Sequence, residues 1–349
     1  MEFVTLTKND PEFKKYLWGT FDSQKRAMTV ETFHADSPRE RVTFKIQWAK
    51  DLQKPSWWKI YLISARPEMW LLSLGPAVAT MLVGRVWESS SALYESAFAM
   101  LALFFLHNSA CLLNDVMDHI KGSDRANRRR GSQVIQKGWS TARHMFWWAI
   151  VNFALAIVLA IPALIVHPML LLAVGGAAVF SILISLSAKG ARYGLSDAAF
   201  ALLYGPLIVA GMAIVQNLEP QKNLFLLAIN FGWLSMWVLQ ARQIENLFRS
   251  VKESHRTFLG YLNFDLAKTS FLLQGAMAIF FVMATAYQLK IHWLGWALFP
   301  LAVYPMIYVL NKTHRAVSPL SSDFLRAGRS ALLAHATLTV WWWFCLGIQ

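Results

Sequence analysis

Long apolar runs separated by short polar clusters dominate the chain from Trp70 onward. A helix that crosses a bilayer needs about 20 mostly apolar residues, and the pattern reaches that length repeatedly. It predicts spans at Trp70–Val86, Ser96–Leu113, His144–Ile165, Met169–Leu186, Asp197–Val215, Leu224–Leu239, Ser270–Leu289, Trp293–Leu310 and Ala331–Leu346. The expected fold class is all-α, a polytopic membrane protein of about nine transmembrane helices. Ahead of the first span, residues 1–62 mix aromatics with charges of both signs and carry no apolar leader run. The doublet Trp57-Trp58 suits a membrane interface. This segment reads as a cytoplasmic, partly amphipathic extension lying against the bilayer, and residues 63–349 as the transmembrane domain.

Composition sharpens the class. Hydrophobic residues make up 56% of the chain and charged residues 15%, against about 25% charged in a soluble domain, so a membrane solvent is implied. Lys and Arg concentrate in cytoplasmic loops of membrane proteins. With the N-terminus inside, one side collects Lys8 through Arg66, Lys121 through Arg143, Lys189 with Arg192, Arg242 through Arg256 and Lys312 through Arg329. The other side keeps little more than Arg85, Lys222 and Lys290. The net charge of +13 is then mainly topology, and no nucleic-acid partner is expected. Cys111 and Cys345 fall within predicted spans and read as small buried hydrophobes, not as a disulfide.

The second span ends in Asn114-Asp115-Val116-Met117-Asp118-His119-Ile120-Lys121-Gly122-Ser123-Asp124-Arg125. Spacings of three and four put Asn114, Asp115 and Asp118 on one helix face. Gly122 can break the helix and let Asp124 fold back toward them. Such a hard-oxygen set suits Mg²⁺, which keeps some waters and binds substrate phosphates. The basic residues Lys121, Arg125, Arg128, Arg129, Arg130 and Lys137 follow at once. Metal and guanidiniums together would neutralise a departing diphosphate, which points to an isoprenyl diphosphate whose tail lies among the helices. The plain alternative is a solvated loop whose acids balance the positive-inside cluster; acids at membrane depth are costly, which favours function for the spaced Asn-Asp-x-x-Asp set.

The run Asn114-Asp115-x-x-Asp118-x-x-Lys121-Gly122-Ser123-Asp124, with Arg128, Gln136, Lys137 and Gly138 behind it, resembles the first signature of the UbiA superfamily of intramembrane prenyltransferases. Its nearest likeness is to the menaquinone branch, the 1,4-dihydroxy-2-naphthoate prenyltransferases. The resemblance extends to Arg66-Pro67 and to Arg192-Tyr193-Gly194-Leu195-Ser196-Asp197 leading to Gly205-Pro206. It implies a nine-helix bundle around a lipid-accessible central cavity, with two aspartate-rich motifs holding Mg²⁺ and a prenyl diphosphate. Asp115, Asp118 and Asp124 would then serve the first metal, and Lys121, Arg125 and Arg128 the diphosphate.

The second signature departs from the family. Between the sixth and seventh spans the chain reads Gln240-Ala241-Arg242-Gln243-Ile244-Glu245-Asn246-Leu247-Phe248-Arg249-Ser250-Val251-Lys252, with Gln243 and Leu247 where aspartates are expected. Glu245 is either a metal ligand or a helix-surface acid paired with Arg242 or Arg249. Fewer carboxylates imply either a weaker second metal site or one replaced by Arg242, Arg249 or Lys252 acting on the diphosphate directly. Lys189 and Arg192 are either diphosphate contacts or ordinary positive-inside residues, and Tyr193 either orients an acceptor or belongs to the interface. His107 and Asn108 read as a hydrogen-bonded core pair.

Three functions follow from these residues. The first is an Mg²⁺-dependent prenyltransferase carrying an isoprenoid to an aromatic acceptor, with Gln136, Tyr193 and Gln240 as candidate acceptor contacts. The second is a membrane terpene cyclase, kept open by the altered second motif. The third is a non-catalytic lipid binder or transporter, against which the first motif argues.

Overall fold

The computed structural model describes residues 2–35, 37–85, 90–126, 131–186, 193–247, 257–324 and 326–348. Two compact units emerge, Met1–Pro67 with Ala102–Val158, and Glu68–Leu101 with Leu159–Gln349.

The first unit opens on a three-stranded antiparallel sheet of order β1-β3-β2, formed by β1 (Glu2–Thr7), β2 (Lys25–Phe33) and β3 (Arg41–Trp48). Leu6 lies opposite Val42, Val4 opposite Phe44, and Ala27 opposite Ile46. On β3, Val42, Phe44 and Ile46 are buried while Thr43, Lys45 and Gln47 are not, the period-two pattern of a strand with one face on a core. Helix α1 (Phe13–Trp18) covers that face with Phe13 and Leu17. The segment expected to be an amphipathic extension is therefore a small sheet with its own apolar core. Short strands interleaved with charges gave no helical stripe, and the alternation from Arg41 to Trp48 was the signal that mattered.

Helix α2 (Trp57–Ala65), the part of α4 (Ser90–Lys121) from Ala102 on, the short α5 (Ser123–Ala126) and the first part of α6 (Ala142–Val166) complete this unit. Leu112 and Val116 of α4 pack with Ile60 of α2 and with Ala142, Met145 and Ala149 of α6. Polar groups inside are satisfied locally: Ser109 Oγ donates to the Ala149 carbonyl at 2.8 Å, and Tyr61 Oη to Asn152 Oδ1 at 2.7 Å.

The second unit comprises α3 (Trp70–Val83), the first residues of α4, the end of α6, α7 (Leu170–Leu186), α8 (Leu195–Leu202), a π-helical turn (Leu203–Leu207), α9 (Ile208–Val215) and α10 (Lys222–Glu245). It continues with α11 (Phe258–Tyr261), α12 (Phe264–Gln288), α13 (Trp293–Arg315) and α14 (Ala327–Gly347). Helix α10 is the hub: 67% of its most apolar window is buried, more than in any other long helix described. Phe231, Leu234 and Trp237 of α10 share a core with Phe271 of α12, Met306 of α13 and Trp342 of α14. Helices α8 and α10 meet backbone to backbone, since a Cβ at Gly232 would lie 2.6 Å from the Ala201 carbonyl oxygen.

Among the described residues, seven helices are long and apolar enough to cross a membrane: Ala92–Lys121, Ala142–Val166, Leu195–Val215, Lys222–Glu245, Phe264–Gln288, Trp293–Arg315 and Ala327–Gly347. The other two expected spans exist as helices but are shorter, 14 residues in α3 and 17 in α7. Their outward residues, such as Leu171 and Leu172 on α7, and Val158 on α6 or Leu301 on α13, are exposed and apolar, a surface suited to acyl chains and not to water.

Candidate active site

Helix α4 does not stop at Leu113; it runs on to Lys121, so the motif lies on continuous helix with its spacing fixed. Asn114 Nδ2 donates to Asp118 Oδ2 at 2.9 Å, tying the residues one turn apart. Asp115 is buried and ion-paired with Arg66, whose guanidinium donates to Asp115 Oδ1. Arg66 ends α2 in the left-handed region, with φ 51°, just before Pro67. Burial works against the charge on Arg66, but the carboxylate of Asp115, aided by Asp124, outweighs it and holds the pKa above the ordinary arginine value. The second oxygen of Asp115, Oδ2, is buried without a hydrogen-bond partner among the described residues.

Gly122 breaks the helix as the sequence suggests, with φ 91° and its N–H on the Asp118 carbonyl at 3.0 Å. Asp124 follows in the next turn, buried against Gly131. Lys121 closes α4 half-buried. Arg125, expected to face a diphosphate, is instead buried: Nε donates to the His119 carbonyl at 2.7 Å, Nη2 to the Ile120 carbonyl at 3.1 Å, and Nη2 lies 2.6 Å from Glu40 Oε1. Gln136 approaches His119, with Nε2 3.4 Å from Nδ1, so its described partner is a ring of the motif helix.

In the second unit, Gln240 and Gln243 point at a carboxylate instead of replacing one. Gln240 Nε2 donates to Asp197 Oδ2 at 3.0 Å, and Gln243 Nε2 to Asp197 Oδ1 at 2.8 Å. Asp197 belongs to the first turn of α8, which Gly194 enters with φ 71°, and it is 2% exposed. Gln243 Oε1 accepts from the Leu259 N–H at 3.3 Å, while Gln240 Oε1 is buried without a partner among the described residues. Among the described residues Glu245 accepts from the backbone N–H groups of Arg326 at 3.3 Å and Gly328 at 3.0 Å, capping the start of α14. Tyr193 is largely exposed. Arg128, Arg129 and Arg130, Lys189, Arg192, Arg249 and Lys252 lie outside the described residues. His107 and Asn108 are both buried in α4.

Sequence reasoning missed Glu40 as part of this region, and it quoted Arg66, His119 and Asp197 without assigning them a role. Arg66 before a span and Asp197 at the head of one were legible as ionisable groups near membrane depth. Glu40, in a loop far before its partner Arg125 in the chain, left no such mark.

Among the described residues no group of three His, Cys, Asp or Glu side chains converges as a ready-made metal cage. Asp115 is turned to Arg66 and Asp124 to Gly131, so the expected convergence of three acids is not what the backbone delivers. The donor set still fits Mg²⁺, because that ion commonly takes one or two protein carboxylates and fills its other positions with water and phosphate. Asp115 Oδ2, buried and unpartnered, and Asp118 one turn on supply those oxygens.

These features define an α-helical, polytopic membrane protein with an acid-rich, arginine-buttressed helix end. Residues 73–326 match the model of the UbiA prenyltransferase family, and the chain belongs to that family. No curated protein matches it in sequence. Among solved structures it is similar to a UbiA homologue from Archaeoglobus fulgidus bound to GPP and Mg²⁺, with a TM-score of 0.53 and 17% identity over 83% of this chain and 100% of the other. The archaeal homologue bound to DMAPP and Mg²⁺ gives a TM-score of 0.54 at 17% identity, over 82% and 99% of the two chains. At that identity the likeness is one of fold.

Proposed function

We propose that this intramembrane prenyl-transfer enzyme is an Mg²⁺-dependent prenyltransferase that ionises an isoprenyl diphosphate and passes the prenyl group to an aromatic acceptor. The observation that carries the reading is the end of α4, where Asp115, held by Arg66, leaves one oxygen unpartnered beside the Asn114–Asp118 pair. Asp115 and Asp118, with Asn114 beside them, would hold the metal, and Asp124 would have to turn from Gly131 to join them. Bound Mg²⁺ supplies positive charge to the diphosphate oxygens as the C–O bond breaks. Arg66 pairs with the Asp115 carboxylate and aims it. Lys121, on the same helix end, is a candidate cation for the diphosphate; Arg128, Lys189, Arg192, Arg249 and Lys252 are candidates from the sequence alone. The archaeal homologues bound to GPP or DMAPP with Mg²⁺ support this substrate class. The clustering of Lys and Arg on one side of the predicted spans supports a cytoplasmic site and a cytoplasmic N-terminus.

Transfer needs a polar place for an acceptor, whereas cyclisation needs a dry, apolar one. Gln240 Oε1, buried without a partner and backed by Asp197, is a hydrogen-bond acceptor of the kind a phenolic hydroxyl would use, and it favours transfer. Tyr193 and Gln136 are the other acceptor candidates that the sequence offers. The cyclase is the second reading, favoured by the loss of carboxylates from the segment after Gln240.

The test incubates purified protein in nanodiscs with Mg²⁺ and geranyl, farnesyl or geranylgeranyl diphosphate, with and without phenolic and naphthoic acids, and follows products by mass spectrometry. A prenylated aromatic formed only with acceptor is the expected result. A terpene hydrocarbon or alcohol formed without one would establish the cyclase, and no Mg²⁺-dependent turnover would return the lipid binder.

A further inference from the structure

The end of α4 is gripped by the N-terminal residues of the same unit. His119 is buried, with Nε2 3.2 Å from the Leu17 carbonyl, which fixes Nε2–H as the donor and leaves Nδ1 to face Gln136. Ile120 packs into the apolar core under the sheet with Phe13, Leu17 and Phe44. Ala35 lies so close to Gly122 that a Cβ there would come within 2.9 Å of it. Beside it, Glu40 and Arg125 form an ion pair of 2.6 Å with side chains 2% and 0% exposed.

A buried ion pair is a poor device for stability, because desolvation cancels most of its Coulomb gain. It is a good device for geometry. The last carbonyls of a helix have no partner within the helix. Here Arg125 supplies one through a planar, rigid fork, taking the His119 and Ile120 carbonyls while Glu40 Oε1 holds the same Nη2 that reaches Ile120. The path of the chain after Lys121 is thus set by Arg125, and the place of Arg125 by Glu40. Asp118 lies one turn before this junction and Asp124 immediately after it. The family match begins only at residue 73, so the clamp comes from a segment outside it.

We propose that Glu40 is a positioning residue of the diphosphate site, and that the N-terminal sheet is a working part of that site through the Glu40–Arg125 pair. Glu40 touches neither diphosphate nor metal; it fixes the Gly122 turn and so the relative placement of Asp118 and Asp124. This inference rests on the prenyl-transfer reading above.

Hydrogen exchange on the full chain in nanodiscs, with and without Mg²⁺ and geranyl diphosphate, tests it without any substitution. Peptides covering residues 35–40 and 119–125 should gain protection together. Protection of 119–125 alone would overturn the proposal. Kinetics supply the second arm: Glu40→Gln should raise the KM for the diphosphate and the half-saturating Mg²⁺ concentration by about 10- to 100-fold, with a smaller change in kcat. Glu40→Asp should recover part of that loss. Unchanged KM and Mg²⁺ dependence in folded Glu40→Gln protein would overturn it, since a merely structural role lowers only the yield of folded enzyme. Wild-type protein that neither turns over a prenyl diphosphate nor gains protection with it would instead overturn the parent reading, and this inference with it.

Discussion

Asp115 and Asp118 are three residues apart on α4, yet their substitutions should separate. Asp118 is half-buried and bonded to Asn114, so Asp118→Ala should abolish turnover and leave the detergent melting temperature nearly unchanged. Asp115→Ala should abolish turnover as well and also strand Arg66, lowering stability by about 3 kcal/mol, measured by thermal unfolding in detergent. Glu245→Ala should cost about 1 kcal/mol through the lost cap on α14 while leaving Mg²⁺ dependence intact; a shifted Mg²⁺ requirement would restore Glu245 to the metal site. The acids of the first motif were legible because helical spacing alone places them. Glu245 and Arg125 were not, because their partners are chosen by tertiary packing: Gly328 lies 83 residues from Glu245, and no local pattern encodes such a meeting. Nor could a sequence say that Gln240 and Gln243 would donate to Asp197.

At the scale of elements, apolar length marked the long helices, and it failed where helices are short or strands intervene. Helix α3 carries Pro76 inside its 14 residues, and α7 has 17, so apolar stretches that look like full crossings yield shorter helices. The sheet was missed because its strands are six to nine residues long and interrupted by charge. Helix α10 is mostly buried, and its contact with α8 tolerates no side chain at Gly232. Gly232→Val should push the two helices apart, destabilising the protein by about 1–3 kcal/mol. Because the Asp197–Gln240 bond spans the same pair of helices, activity should fall with it, and Gly232→Ala should be milder on both readouts.

For the whole molecule, the alternation of charged and uncharged connections predicts which ends face the cytoplasm. Cys111 and Cys345 are buried, so single cysteines introduced at the end of α13 and in the connection before it can be labelled against a low background. Arg315→Cys should react from the cytoplasmic side and Lys290→Cys from the opposite side; the reverse pattern would invert the topology. The π-helical turn at Leu203–Leu207 sets a different kind of limit on the chain. It holds one residue more than a regular turn would, and each residue of a helix advances the side chains by about 100°. Loss of a single codon there would leave a smooth helix of much the same length but swing Asp197 around the axis, away from Gln240 and Gln243. The reading frame of this gene therefore has a phase as well as a length: an in-frame deletion that a surface connection absorbs would, at this turn, misaim a buried carboxylate.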